Sequence, residues 1–164
     1  MKHFAYISIG SNLGDRVHNC ENAILQLSNF SELIKHSSFY ETESWGYDDV
    51  NLYINCVVKI STQLNPETLL SQLKLIEKTL GRSHKKNGNL YESRIIDLDI
   101  LFFDNLILNN SELNIPHKHL YSRNYVLIPF AEIDPDFVCP LKKHKISHIL
   151  SSCKDKSQVT LYTH

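Results

Sequence analysis

Asp97 and Asp99 stand at i and i+2 within Ile95-Ile96-Asp97-Leu98-Asp99-Ile100-Leu101. In a β-strand that spacing turns both carboxylates to the same face. Two acids side by side repel, and inside an apolar run the pair is costly to bury unless a cation offsets it. Paired carboxylates completed by water and phosphate oxygens are what Mg²⁺ takes; a strand end whose acids simply face solvent is the alternative. Arg94 lies three residues before the pair, and with Arg82 it brackets a polar, glycine-containing stretch that includes His84, Lys85 and Lys86. Positive charge beside a metal-binding pair suits a polyphosphate, whereas a solvated basic loop is the simpler reading of such a run.

Tyr53 and Asn55 share one strand face, an aromatic plate beside an amide, which can stack on and hydrogen-bond to a flat heterocycle or merely pack in a core. Gly10-Ser11-Asn12 follows an apolar run and could offer backbone amides to a phosphate, though it matches neither the P-loop nor the dinucleotide fingerprint. His117-Lys118-His119 and the i, i+4 pair His144 and His148 lack acidic or thiolate partners at ligand spacing, so they read as surface histidines. Cys20, Cys56, Cys139 and Cys153 form no C-x-x-C pair, which excludes a zinc ribbon or redox motif and fits a reducing cytoplasm.

These residues need elements to hold them. Phe4 to Ile9 reads as a strand ended by Gly10-Ser11-Asn12-Leu13-Gly14. Val17, Cys20, Ala23, Ile24, Leu27 and Phe30 recur at helical spacing, predicting a helix from Asp15 to about Asn29. Ile34 to Tyr40 and Leu52 to Thr62 read as strands, separated by an aromatic loop containing Trp45. Asn65-Pro66-Glu67 opens a second helix through Leu80, stopped by Gly81. Ile95 to Phe103 is the fourth strand, and helices follow over Arg123 to Ile133, disturbed by Pro129, and near Ile146 to Ser152. The order βαββαβ predicts an α+β fold with a ferredoxin-like core, an antiparallel sheet with flanking helices in α/β/α layers.

The chain has 164 residues, 42% of them apolar and 21% charged, values that predict one globular domain over residues 1–164 and exclude collagen-like, coiled-coil and wholly disordered chains. A formal net charge of -1 argues against a large nucleic-acid footprint, and no apolar run approaches the ~18 residues that span a bilayer.

Taken together, the residues resemble the 6-hydroxymethyl-7,8-dihydropterin pyrophosphokinase family of folate synthesis. The likeness is carried by Gly10-Ser11-Asn12-Leu13-Gly14, Ser38-Phe39-Tyr40-Glu41-Thr42, Tyr53-Ile54-Asn55, Arg94 through Leu101, and Pro116-His117 followed by Arg123-Asn124-Tyr125-Val126-Leu127-Ile128-Pro129. The resemblance implies transfer of the terminal pyrophosphate of ATP to the pterin hydroxymethyl oxygen with release of AMP, by a cytoplasmic monomer acting without nucleic acid or membrane. It implies two Mg²⁺ ions on Asp97 and Asp99, and Arg82 and Arg94 on the triphosphate. Glu77, Ile100, His117 and Arg123 would complete the nucleotide site, and Thr42, Trp45, Tyr53, Asn55 and Tyr125 the pterin site.

The chain departs from the family pattern in places. His84 stands where a second arginine is common, Tyr91 replaces a loop tryptophan, and Glu92-Ser93 replaces Gly-Pro. Lys74, Lys118 and Glu43-Ser44 stand where Gln, Tyr and a proline pair are frequent. These changes bear on nucleotide affinity and loop motion rather than on the reaction.

Overall fold

The computed structural model describes residues 1–46, 50–81 and 93–163. Arg82, His84, Lys85, Lys86, Tyr91 and Glu92, and the expectations attached to them, lie outside the described residues.

The first strand, β1 (His3–Ser11), runs through the expected turn at Gly10 and is followed by α1 (Arg16–Leu27). The Asp15 side chain caps α1 by accepting the His18 N–H at 3.1 Å, and Cys20, Ala23 and Leu27 form its buried face. The single strand expected over 34–40 is instead two, β2 (Ser31–His36) and β3 (Tyr40–Thr42), both paired to β4 (Tyr53–Thr62). Ser37 mends the break: its N–H donates to the Val57 carbonyl at 2.9 Å and its hydroxyl accepts the Val57 N–H at 3.0 Å.

Asn65 caps α2 (Pro66–Thr79) by accepting the Thr68 N–H at 2.8 Å, with Pro66 in the first turn, where its missing N–H costs nothing. Gly81 then adopts a φ of +98°, a conformation that ends the helix without Cβ strain. Next come β5 (Asp97–Phe103), a small hairpin of β6 (Leu108–Asn109) and β7 (Asn114–Ile115), α3 (Asn124–Ile133), α4 (Ile146–Ser151) and β8 (Val159–Leu161). Helix α3 continues through Pro129, which is buried.

The sheet order is β5-β1-β4-β3-β8, with β2 beside β3 on the β4 edge, so the expected antiparallel ferredoxin-like core is present. Alternation divides its side chains. Ile7, Ile9, Ile54, Val58, Leu98 and Ile100 pack with α1 and α2 on one face. Tyr6, Val57, Leu101 and Phe102 pack with α3 and α4 on the other. Leu101 and Phe102, though adjacent, share that face because the β1–β5 register shifts there, as a bulge permits. The α3 layer covers this face only in part, and the uncovered end holds Asp97 and Asp99.

Candidate active site

Three central strands meet in two rungs that form the floor. Asn55 pairs with Gly10, which pairs with Asp97; Val57 pairs with Ser8, which pairs with Asp99. Small residues in the middle strand leave the floor open between the Asn55 amide and the acids. A Cβ built on Gly10 would stand 2.9 Å from Asn55 Oδ1, so glycine is the residue that lets this amide lie flat. The resulting cleft, about 240 Å³, is walled by Thr42, Glu43, Trp45 and Tyr53 at one end and by Arg94, His117, Lys118, His119, Arg123 and Tyr125 around the acids.

Each wall has a local anchor. Asn55 Nδ2 donates to Thr42 Oγ1 at 2.8 Å, fixing the amide against β3. The His117 N–H donates to the Leu101 carbonyl at 3.0 Å, which hangs the imidazole beside β5. Arg94 is clamped to the end of β1: its N–H donates to Asn12 Oδ1 at 2.6 Å, and its carbonyl accepts the Asn12 N–H at 3.0 Å. The Asn12 amide is therefore committed to holding Arg94 and is not offered to a phosphate, contrary to the reading of Gly10-Ser11-Asn12 as an anion cradle. The Arg123 guanidinium lies over the Trp45 ring at 4.7 Å and the Tyr125 ring at 5.7 Å, while its Nε is buried with no hydrogen-bond partner among the described residues. An orphaned buried donor in a cleft wall marks a place for a ligand acceptor.

The charges in the cleft are unequal. Arg94 Nη1 pairs with Asp97 Oδ1 at 2.9 Å. Enclosure in the cleft, and then the neighbouring Asp97 charge, push the Asp99 carboxyl well above the usual carboxylate range. Asp99 still keeps 37% of its side chain open, enough for a ligand to reach it. Burial and then the Arg123 charge bring the His117 imidazole down to about 4, so it is neutral near pH 7. At 3.8 Å from Asp99 Oδ2, its Nε2 makes neither an ion pair nor a hydrogen bond. Among the described residues no group of three or more His, Cys, Asp or Glu side chains could hold a metal unaided. The two aspartates fit Mg²⁺ as part of a coordination shell: they share one face, open into the cleft and offer hard oxygens, with the remaining positions left to phosphate and water.

Of the thirteen expected site residues, ten line the cleft, one lies outside the described residues and two turn to the opposite face of the sheet. Arg94, Asp97, Asp99, His117, Arg123, Thr42, Trp45, Tyr53, Asn55 and Tyr125 converge on the cleft. Arg82 lies outside the described residues. Glu77 and Ile100 turn their side chains to the α1 and α2 face: Glu77 is 5% exposed, with Oε1 accepting the Leu98 N–H at 2.8 Å, and Ile100 is core. Ser8 and Gly10 were missed as floor residues, although their alternation with Ile7 and Ile9 carries the signal. The His144 and His148 rings lie 4.7 Å apart, tilted to each other, and do not line the cleft, and the four cysteines are free.

A ferredoxin-like antiparallel sheet that presents paired acids and converging basic side chains in an open cleft defines an enzyme of the phosphoryl-transfer class. The sequence pattern of the 7,8-dihydro-6-hydroxymethylpterin-pyrophosphokinase family matches residues 6–135. The 2-amino-4-hydroxy-6-hydroxymethyldihydropteridine pyrophosphokinase of Haemophilus influenzae is 38% identical over 160 residues, covering 96% of this chain and 97% of that one. The Porphyromonas gingivalis protein of the same name is 38% identical over 133 residues, 79% of this chain and 90% of its own. A Plasmodium falciparum HPPK-DHPS structure superposes with a TM-score of 0.73 at 16% identity, covering 92% of this chain and 44% of that one, and so shares the fold. This chain thus spans less than half the length of that solved chain. It belongs to the 7,8-dihydro-6-hydroxymethylpterin-pyrophosphokinase family.

Proposed function

We propose that the cleft holds ATP and 6-hydroxymethyl-7,8-dihydropterin end to end along the Asn55–Gly10–Asp97 rung. The family reaction is transfer of diphosphate from ATP to the pterin hydroxymethyl oxygen, giving the pterin diphosphate and AMP in folate synthesis. The observation that carries the placement is the rung itself. Two interstrand gaps separate the Asn55 and Asp97 backbones by about 10 Å, a span suited to a two-ring heterocycle and its one-carbon arm. Asn55 would read the heterocycle's amide edge, with Tyr53 and Tyr125 against its faces.

Asp97 and Asp99 would hold Mg²⁺, two ions in all, with ATP oxygens completing the shells. When bound, the metal draws charge from the phosphorus and offsets the triphosphate's repulsion of an incoming oxygen. The chain's own side chains do the rest. Arg94 can exchange the Asp97 carboxylate for phosphate oxygens, and Arg123 offers an Nε that has no hydrogen-bond partner among the described residues. His117, neutral at pH 7, can donate or accept a hydrogen bond without adding charge. The substrate hydroxyl oxygen bonds to the β-phosphorus and gives up its proton to solvent, the bond from that phosphorus to the α-bridging oxygen breaks, and AMP leaves with the electron pair. Glu77 and Ile100 would act on the nucleotide from beneath, by fixing the β5 backbone, and Arg82 from the segment between Gly81 and Ser93.

We also assign the chain to the cytoplasm as a monomeric, single-domain enzyme without nucleic-acid or membrane partners. The near-zero net charge supports the lack of a nucleic-acid partner, and among the described residues no helix is long and apolar enough to cross a membrane. Incubation with ATP, Mg²⁺ and the reduced pterin tests the assignment: AMP should form only with all three present, and AMP formation that ignores the pterin or survives chelation of Mg²⁺ would refute it.

A further inference from the structure

Residues Arg123 and Tyr125 flank the first residue of α3, Asn124, and that residue is held from outside the helix. Asp155 Oδ2 accepts the Asn124 N–H at 2.9 Å, and the Asp155 main-chain carbonyl accepts the Asn124 side-chain amide. The other carboxylate oxygen, Oδ1, accepts the Ser157 N–H at 2.9 Å and the Ser157 hydroxyl at 2.7 Å, so the group is fixed at both ends. Asp155 lies beyond residues 6–135, the stretch that matches the family pattern.

We propose that Asp155 is a positioning residue for the cleft, which by fixing Asn124 sets where Arg123 and Tyr125 meet the ligands. Helix α3 has no side-chain cap of its own, since the residue at the cap position is Arg123. The first-turn N–H groups of such a helix need an external acceptor, and a carboxylate there also complements the helix dipole. Among the described residues Arg123 stacks on the Trp45 and Tyr125 rings and faces the Asp99 charge, while its Nε has no hydrogen-bond partner, so the backbone from which it extends largely sets its place. Partial burial raises the Asp155 carboxyl, but hydrogen bonds from Ser157 and Asn124 outweigh it and hold the group ionised. The inference rests on the ligand roles given above to Arg123 and Tyr125.

The test uses the full chain, well below its melting temperature, as wild type, Asp155→Ala, Asp155→Glu, Asp155→Asn and Tyr125→Ala. Trp45 is the sole tryptophan and stacks on Arg123, so its emission reports the guanidinium's place independently of activity. Asp155→Ala should shift that emission and lower kcat/KM roughly 10- to 100-fold, the scale of a small misplacement of binding groups. Asp155→Glu should recover part of both. If the alanine variant does not fold, Asp155→Asn, which keeps the shape but must give up one acceptor, should move both readouts in the same direction. A folded variant with a lower Tm but wild-type emission, kcat and KM would overturn the proposal. Loss of pterin affinity in Tyr125→Ala beside wild-type behaviour of both Asp155→Ala and Asp155→Asn would overturn the positioning role alone. Wild-type behaviour of all three would overturn the ligand assignment with it.

Discussion

Gly10 stands where any side chain would press on the amide assigned to the pterin, its Cβ falling 2.9 Å from Asn55 Oδ1. Gly10→Ala should therefore displace Asn55 and weaken pterin binding by about 1–3 kcal/mol, the cost of forcing a methyl into a packed site, with ATP affinity unchanged. Calorimetry with each ligand separately checks this; equal losses for both would mean that the floor as a whole had deformed. The acids make a different demand. Asp97→Asn and Asp99→Asn should each cut turnover by orders of magnitude while the fold persists, because neither packs the core. Asp99→Asn should also raise the Tm of the metal-free protein, since the enclosed carboxylate beside Asp97 carries a charge that its surroundings disfavour. A lower Tm would show that Asp99 is structural. The Asp97, Asp99, Tyr53 and Asn55 placements were legible because strand alternation alone fixes the face of each side chain. Trp45 stacking on Arg123 was not, because it joins the loop after β3 to the start of α3, which no local spacing relates.

At the scale of elements, Asp134 ties the end of α3 to the sheet. Its carboxylate accepts from the Tyr6 hydroxyl and pairs with Lys59 Nζ at 3.0 Å, bridging β1 and β4. Partial burial opposes the charge, but the Tyr6 and Lys59 contacts outweigh it and hold the carboxyl below its usual value. A depressed acid contributes stability above its unfolded pKa, about 4, and that contribution is lost as pH falls through the folded value. Asp134→Asn should cost about 1–3 kcal/mol at pH 7, and urea denaturation should find the two proteins converging as the pH falls through the depressed folded value. A difference that persisted in acid would place the effect in packing. The same scale shows what periodicity reads well and what it misses. Helices α1 and α2 were legible from Asp15, Asn65 and their apolar stripes. The split between β2 and β3 was not, because it depends on the Ser37 hydroxyl replacing a ladder bond from β4. Nor was β8, a three-residue strand held by its long-range pairing to β3 rather than by its own pattern.

Across the whole molecule, the ferredoxin-like topology places the Tyr53–Asn55 end, proposed above for the heterocycle, and the acid-bearing end on one sheet face, with α3 closing only part of it. Net charge of -1 conceals the separation on which this depends, since the basic groups Arg94, Lys118 and Arg123 gather around Asp97 and Asp99. The element order made the sheet legible; the extent of the α3 cover, which decides that there is a cleft at all, emerged only from packing. In the function proposed above, this one face passes a diphosphate unit intact from nucleotide to pterin. The most direct test uses ATP labelled in its terminal phosphate, incubated with Mg²⁺, the reduced pterin and the enzyme. All transferred label should appear in the pterin diphosphate in step with unlabelled AMP, and Asp97→Asn should slow that transfer by orders of magnitude. Label recovered as inorganic phosphate beside ADP, or as free pyrophosphate with AMP left on an acceptor, would contradict the account.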